Sequence, residues 1–164
     1  MIKAISSPNI ALIKYWGNRN NELRLPAADS ISMVLDTPTV ETTVERVQKP
    51  EAIARLEGHW KLVRKFLESI DRLSGMPENI SLTIHSGIPP AIGIASSAAV
   101  FSCLAEAYSG LVNGQELTRE EVAILGRLGS GSGARNIFGG YVTLENTGEG
   151  IAGTRSRQIA DETH

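Results

Sequence analysis

The sequence predicts an α+β domain in which helices pack on a mostly antiparallel sheet. Two observations carry that expectation. Strand-like runs come first, between Asn9 and Val47, and amphipathic helical periods then mix with further strands, without internal repeats or low-complexity segments. At 164 residues, 41% apolar and 21% charged, the chain is long enough to bury one core.

Asn9 to Tyr15 alternates polar and apolar residues imperfectly, as a strand buried on one face would. Its end delivers Lys14, Tyr15 and Trp16 in succession before Gly17. Trp16 is expected to pack into the core at the strand end. Lys14, between an apolar run and two aromatics, is expected to be less exposed than most lysines, and Tyr15 to cap the core with its hydroxyl at the surface. Ile31–Leu35 and Thr39–Val47 read as strands, the second with Val40, Thr42, Val44 and Arg46 on one face. An amphipathic helix follows from about Trp60 to Leu73, with Val63, Phe66, Leu67, Ile70 and Leu73 on one side and Gly75 ending it. Ile80 to His85 is a strand, and Val100, Phe101, Leu104, Tyr108 and Leu111 recur at helical spacing. Thr118-Arg119-Glu120-Glu121 is a capping box opening a helix with Val122, Ile124, Leu125 and Leu128. Tyr141 to Glu145 is a strand, and from Asn146 the chain turns polar and glycine-bearing.

Between the strand at Ile80 and the helix at Val100 lies Ser86-Gly-Ile-Pro-Pro-Ala-Ile-Gly-Ile-Ala-Ser-Ser-Ala-Ala99. Gly87 and Gly93 let backbone approach a ligand, and Ser96 and Ser97 put hydroxyls where unpaired helix N–H groups gather. That composition suits an anion cradle built from backbone N–H groups and the positive helix end. An ordinary connection with a serine N-cap is the plainer alternative. Neither a Walker loop nor a dinucleotide-binding Gly-x-Gly-x-x-Gly is present.

A second glycine- and serine-rich block spans Gly129 to Gly140. Such clusters are commonly linkers, but a helix precedes this one and a strand follows directly, which argues for an ordered loop. Arg135 then stands as a permanently charged planar fork suited to a carboxylate or phosphate.

The net charge of −2 gives no global attraction to nucleic acid or an anionic membrane, so any phosphate site must gather its cations locally. Cys103, the one cysteine, reads as a buried inert thiol, and a chain without an internal disulfide fits the cytoplasm. No signal peptide or membrane-spanning run is apparent, and His59, His85 and His164 are too scattered for a zinc site or a triad.

Pro89-Pro90-Ala91-Ile92-Gly93-Ile94-Ala95-Ser96-Ser97-Ala98 resembles the phosphate loop of the GHMP kinase superfamily. Ser7 to Arg19, with Ile13-Lys14-Tyr15-Trp16-Gly17, and Gly129 to Tyr141 resemble the mevalonate diphosphate decarboxylase family, in the family's order. The resemblance implies the superfamily's N-terminal fold, like domain 2 of ribosomal protein S5, across residues 1–164. It implies ATP with Mg2+ on Pro89, Gly93, Ala95, Ser96, Ser97 and Ala98, with Ser97 helping to hold the metal. It further implies Lys14 near the transferred phosphoryl group, Tyr15, Asn18, Ser130 and Ser132 toward the substrate's phosphates, and Arg135 on its carboxylate. The implied reaction is ATP-dependent decarboxylation of a 5-phosphorylated mevalonate, its alternatives a mevalonate 3-kinase or a non-catalytic binding fragment. The family's Asp-x-Gly-Pro-Asn-like segment is missing from this sequence. The expectation is therefore an N-terminal half whose catalytic aspartate lies in a C-terminal half or on a second chain, and a homodimer is compatible with it. Asn18, where many relatives have lysine, and Asp29, where they have serine, make mevalonate 5-phosphate the expected ester.

Overall fold

Residues 1–47, 63, 66–67, 80–89, 94–111 and 117–163 are described by the structure, a computed structural model. The alternation in the first fifty residues builds β1 (Ile2–Ser6), β2 (Asn9–Ile13), β5 (Ser30–Val34) and β6 (Val40–Arg46), with a small hairpin of β3 (Asn18–Asn20) and β4 (Leu25–Pro26) between β2 and β5. Then come β7 (Ile80–Ser86), α1 (Ser96–Ser109), α2 (Arg119–Gly129), the single turn α3 (Gly133–Asn136), β8 (Tyr141–Asn146) and β9 (Thr154–Ala160). One sheet has the order β1-β6-β7 and the other β2-β5-β8-β9, and the paired strands are antiparallel throughout. The α+β expectation holds.

Period two does what it should on β6. Val40, Thr42 and Val44 are buried, while Arg46, at the exposed end of the strand, donates from its guanidinium to the Leu111 carbonyl. Helix α1 crosses the inner face of β1 and β6 and carries α2 and α3 on its other side. Phe101, Leu104, Tyr108 and Leu111 are buried as their spacing requires. Val63, Phe66 and Leu67 are helical, with the Phe66 ring 5.2 Å from that of Phe101, while the rest of the helix expected over 60–73, and Gly75, fall outside the described residues. Thr118 caps α2 through the reciprocal box with Glu121. Cys103 is fully buried against the Ala4 and Val40 carbonyls, and burial pushes its thiol up to about 11.

Two expectations are corrected, and one strand is found that no apolar pattern announces. Trp16 is 83% exposed, because β2 ends at Ile13 and Gly17 turns at φ +80°, throwing the indole off the sheet. Gly87 approaches backbone as expected, but that of Thr39, whose carbonyl takes its N–H at 2.9 Å. The polar tail after Asn146 contains β9, which pairs along the whole of β8 and buries only Thr154 and Ser156 firmly. No helix among the described residues is long and apolar enough to cross a membrane.

Gly129 is tightly enclosed where α2 meets α1. A Cβ there would sit 2.2 Å from Cδ1 and 2.6 Å from Cβ of Phe101, too near the main chain for the ring to swing clear. Gly129→Ala is expected to cost about 2–3 kcal/mol by overpacking, read as a lower urea midpoint at unchanged slope. Glu106 on α1 contributes a pH dependence. Burial pushes its carboxyl up to about 7, against the pull of Arg119. The folded chain therefore holds a proton that the unfolded chain releases near 4.5, and stability falls as pH rises between those values. Glu106→Gln should remove that slope in urea titrations at pH 5 and pH 8.

Candidate functional site

Three segments far apart in sequence meet around a cleft of about 400 Å³. The end of β2 supplies Lys14 and Tyr15, the start of α1 supplies Ala95, and the glycine–serine block supplies Ser132 and Arg135. Lys14 is exposed at the rim, contrary to the shielding its neighbours suggested, but it faces the cleft.

Arg135 is the anchor of the site. It is 2% exposed and sits on α3 directly over β5. Its Nε donates to Ser32 Oγ and its Nη1 to Ser30 Oγ, while Nη2 takes no acceptor among the described residues. The ion pairs among those residues lie elsewhere: Lys3–Glu41, Arg19–Glu149, Arg155–Glu120 and Arg157–Glu145. Burial lowers the guanidinium to about 10, with Tyr15 pulling the other way, so it stays charged at neutral pH. A buried cation held by two neutral hydroxyls has its geometry fixed and its charge uncompensated, and an anionic ligand relieves that cost.

A polar network fixes the Ser32 hydroxyl. Ser32 Oγ donates to Asn9 Oδ1 at 3.1 Å, and Asn9 Nδ2 donates to the Ser132 carbonyl at 3.2 Å and to Asn136 Oδ1. Asn136 Nδ2 closes the path on the Ser7 carbonyl at 2.6 Å. Ser30, Ser32, Asn9 and Asn136 were not among the residues singled out from sequence. The signal for the serines was available: Ser30 and Ser32 occupy alternate positions of β5 and therefore share one face.

Tyr15 is half-buried, and Gly131 makes room for it: a Cβ there would lie 1.9 Å from the phenolic oxygen. Burial raises the phenol's pKa, although Arg135, Arg24 and Arg127 each pull it down. It is neutral at physiological pH and able to donate a hydrogen bond. Arg127 is wholly buried and braces this corner, donating to the Leu23 carbonyl at 3.1 Å, the Ile151 carbonyl at 2.5 Å and Thr154 Oγ1.

The expected cradle and the glycine–serine block do come together. Ser97 Oγ lies 3.3 Å from Ser130 Oγ, which lies 3.5 Å from Ser132 Oγ. The plainer N-cap alternative is not what is seen, since Ala95 is the N-cap of α1, no side chain caps it, and no acid sits in the first turn. Pro89 is exposed before the loop, Ser96 is half-buried at the first turn, and Ala98 is buried below it. Gly93, with residues 90–92, falls outside the described residues. Asn18 stands apart from the cleft lining on β3, its amide 3.3 Å from Asn21 Oδ1.

The donor set bears on Mg2+. No group of three or more His, Cys, Asp or Glu residues among the described residues could hold a metal ion. Ser97 offers one exposed hydroxyl, which fits a magnesium ion that keeps waters and takes its other ligands from phosphate oxygens.

Residues 6–157 match the family model described as the diphosphomevalonate decarboxylase-like N-terminal domain. The human diphosphomevalonate decarboxylase is 36% identical over 95% of this chain and 44% of its own length. The solved mevalonate diphosphate decarboxylase from Enterococcus faecalis superposes with a TM-score of 0.84 at 33% identity, over 97% of this chain and 51% of that one. A solved complex of MDDEF with MVAPP, AMPPCP and magnesium gives the same score and identity, over 97% and 50%. The chain thus spans about half the length of the relatives it matches.

Proposed function

Because this chain belongs to the diphosphomevalonate decarboxylase-like N-terminal domain family, we propose that it supplies the substrate side of an ATP-dependent decarboxylation of a 5-phosphorylated mevalonate. The observation that carries the reading is Arg135, a buried guanidinium without an acidic partner among the described residues, positioned by Ser30 and Ser32 at the cleft. It receives the substrate carboxylate. The complex of MDDEF with MVAPP, AMPPCP and magnesium supports the ligand classes.

In this account Ser97, Ser130 and Ser132 line the phosphate end together with the uncapped start of α1, and Ser97 is the protein's hydroxyl toward Mg2+. Bound Mg2+ supplies charge neutralisation on the ATP phosphates. Lys14 stabilises charge as the substrate's tertiary 3-hydroxyl takes the phosphoryl group, and Tyr15 donates to the 5-phosphoryl end. The 3-phosphate ester bond then breaks to release inorganic phosphate. The electrons for the new double bond come from the bond to the carboxylate, which departs as carbon dioxide. Arg135 keeps that carboxylate aligned with the leaving phosphate. The base that takes the hydroxyl proton is an aspartate from a further polypeptide portion. The reaction has one ADP, one phosphate and one carbon dioxide per substrate. Product analysis of the assembled enzyme tests it: ADP without carbon dioxide would make it a 3-kinase. A cytoplasmic setting agrees with the buried Cys103 thiol.

We further propose mevalonate 5-phosphate as the preferred ester. Asn18 brings no charge, and Arg19 is engaged by Glu149 at 2.5 Å and by the Gly148 carbonyl, so neither supplies a free cation for a second phosphate. Asp29 is exposed and accepts the Asn146 N–H at 2.7 Å. The expected result is a higher kcat/KM for the monophosphate, with Asn18→Lys shifting preference toward the diphosphate. A diphosphate preference unaltered in that variant contradicts the proposal.

A further inference from the structure

Arg24 holds φ at +49°, alone in the left-handed region among the described non-glycine residues. It closes the turn of the β3–β4 hairpin, where the Leu23 N–H donates to Asn20 Oδ1 at 2.9 Å. Strand β4 then begins at once with the wholly buried Leu25. Glycine adopts that backbone freely and arginine at a cost, which its side chain has to offset.

Half of that side chain is anchored. Its Nε donates to the Leu128 carbonyl at 2.9 Å. Nη1 and Nη2 take no acceptor among the described residues, and none of the ion pairs there includes Arg24. Other arginines of this corner are occupied, Arg127 by the Leu23 and Ile151 carbonyls and Thr154, and Arg19 by Glu149. Leu128 leads directly into Gly129-Ser130-Gly131, and the Tyr15 phenol rests against Gly131. The bond to Leu128 therefore moors the Arg24 guanidinium to the segment that carries Ser130 and packs on Tyr15. Its charge is felt at the site: burial raises the Tyr15 phenol, and Arg135, then Arg24, then Arg127 pull it down.

Resting on the decarboxylase reading, we propose that Arg24 is the cation that binds the substrate's 5-phosphate and makes recognition depend on that group. A substrate whose carboxylate lies on Arg135 extends its far end past Tyr15. That is the side on which Arg24 stands, beyond the residues lining the cleft. A guanidinium fixed through Nε presents its Nη donors to two oxygens of one phosphate. With Asn18 neutral and Arg19 paired, one free cation is matched to one phosphate group.

The test measures binding of mevalonate, mevalonate 5-phosphate and the 5-diphosphate to residues 1–164 by calorimetry. In the unsubstituted chain the monophosphate should bind at least about tenfold more tightly than mevalonate. Arg24→Gln should erase that advantage while mevalonate binds as before. Arg24→Gly removes the charge together with the backbone strain, so the same loss should appear in a chain that keeps its fold. Equal weakening of all three ligands would make Arg24 a support of the loop and overturn the proposal. A loss confined to the diphosphate overturns it too, as does a monophosphate that fails to bind the unsubstituted chain. In the assembled enzyme, a KM for the monophosphate raised by Arg24→Gln, with ADP formed but no carbon dioxide, leaves the phosphate contact standing and removes the decarboxylase reading. Carbon dioxide release with binding indifferent to Arg24→Gln does the reverse.

Discussion

Replacing Arg135 with alanine is expected to lower kcat/KM of the assembled enzyme at least about thirtyfold, equivalent to ~2 kcal/mol of transition-state stabilisation. The size follows from what the side chain gives up. A buried guanidinium makes charge-assisted contacts stronger than neutral hydrogen bonds, and its geometry is set in advance by Ser30 and Ser32. Arg135→Lys should recover little, because an ammonium cannot span two serine hydroxyls and still present a flat donor edge. The loss should fall on kcat as well as KM, since carboxylate alignment matters most as carbon dioxide departs. Unchanged kcat/KM in a folded Arg135→Ala enzyme would remove the carboxylate role.

The second large effect concerns the chain by itself. With no carboxylate among the described residues lining the cleft, residues 1–164 alone should still bind substrate but give neither ADP nor carbon dioxide above background with ATP, Mg2+ and either ester. Turnover by the isolated chain would mean that one of its own acids serves as the base. The carboxylates nearest in kind are already engaged: Asp29 by the Asn146 main chain, Glu145 by Arg157, and Glu149 by Arg19.

The sequence made the site legible wherever chemistry required an unusual residue pattern. The clustering of Gly129, Gly131 and Gly133 around Ser130 and Ser132 has a physical cause, since side chains at 129 and 131 would strike Phe101 and Tyr15. The capping box and the helical periods were legible because each is a local signal. What escaped depends on partners distant in the chain. Ser30 and Ser32 look like ordinary strand residues until Arg135 arrives from more than a hundred positions away. Strand β9 buries a threonine and a serine where apolar residues would have announced it, and its existence rests on pairing with β8. The hairpin strands β3 and β4, of three and two residues, are too short to show a period. Residue type alone places Trp16 in the core, whereas an edge strand followed by a left-handed glycine puts the indole outside.

If Arg135 meets the substrate carboxylate while Tyr15 and the serines meet its phosphate, an isolated chain that does not turn over lets both contacts be observed directly. Mevalonate 5-phosphate labelled with 13C at the carboxylate would be titrated with residues 1–164 and followed in 13C and 31P spectra. Both resonances are expected to shift on binding to the unsubstituted chain, and in Arg135→Ala the 31P shift should persist while the carboxylate shift is lost. A carboxylate resonance that stays at its free position in the unsubstituted chain, or that shifts equally in Arg135→Ala, would contradict the carboxylate role.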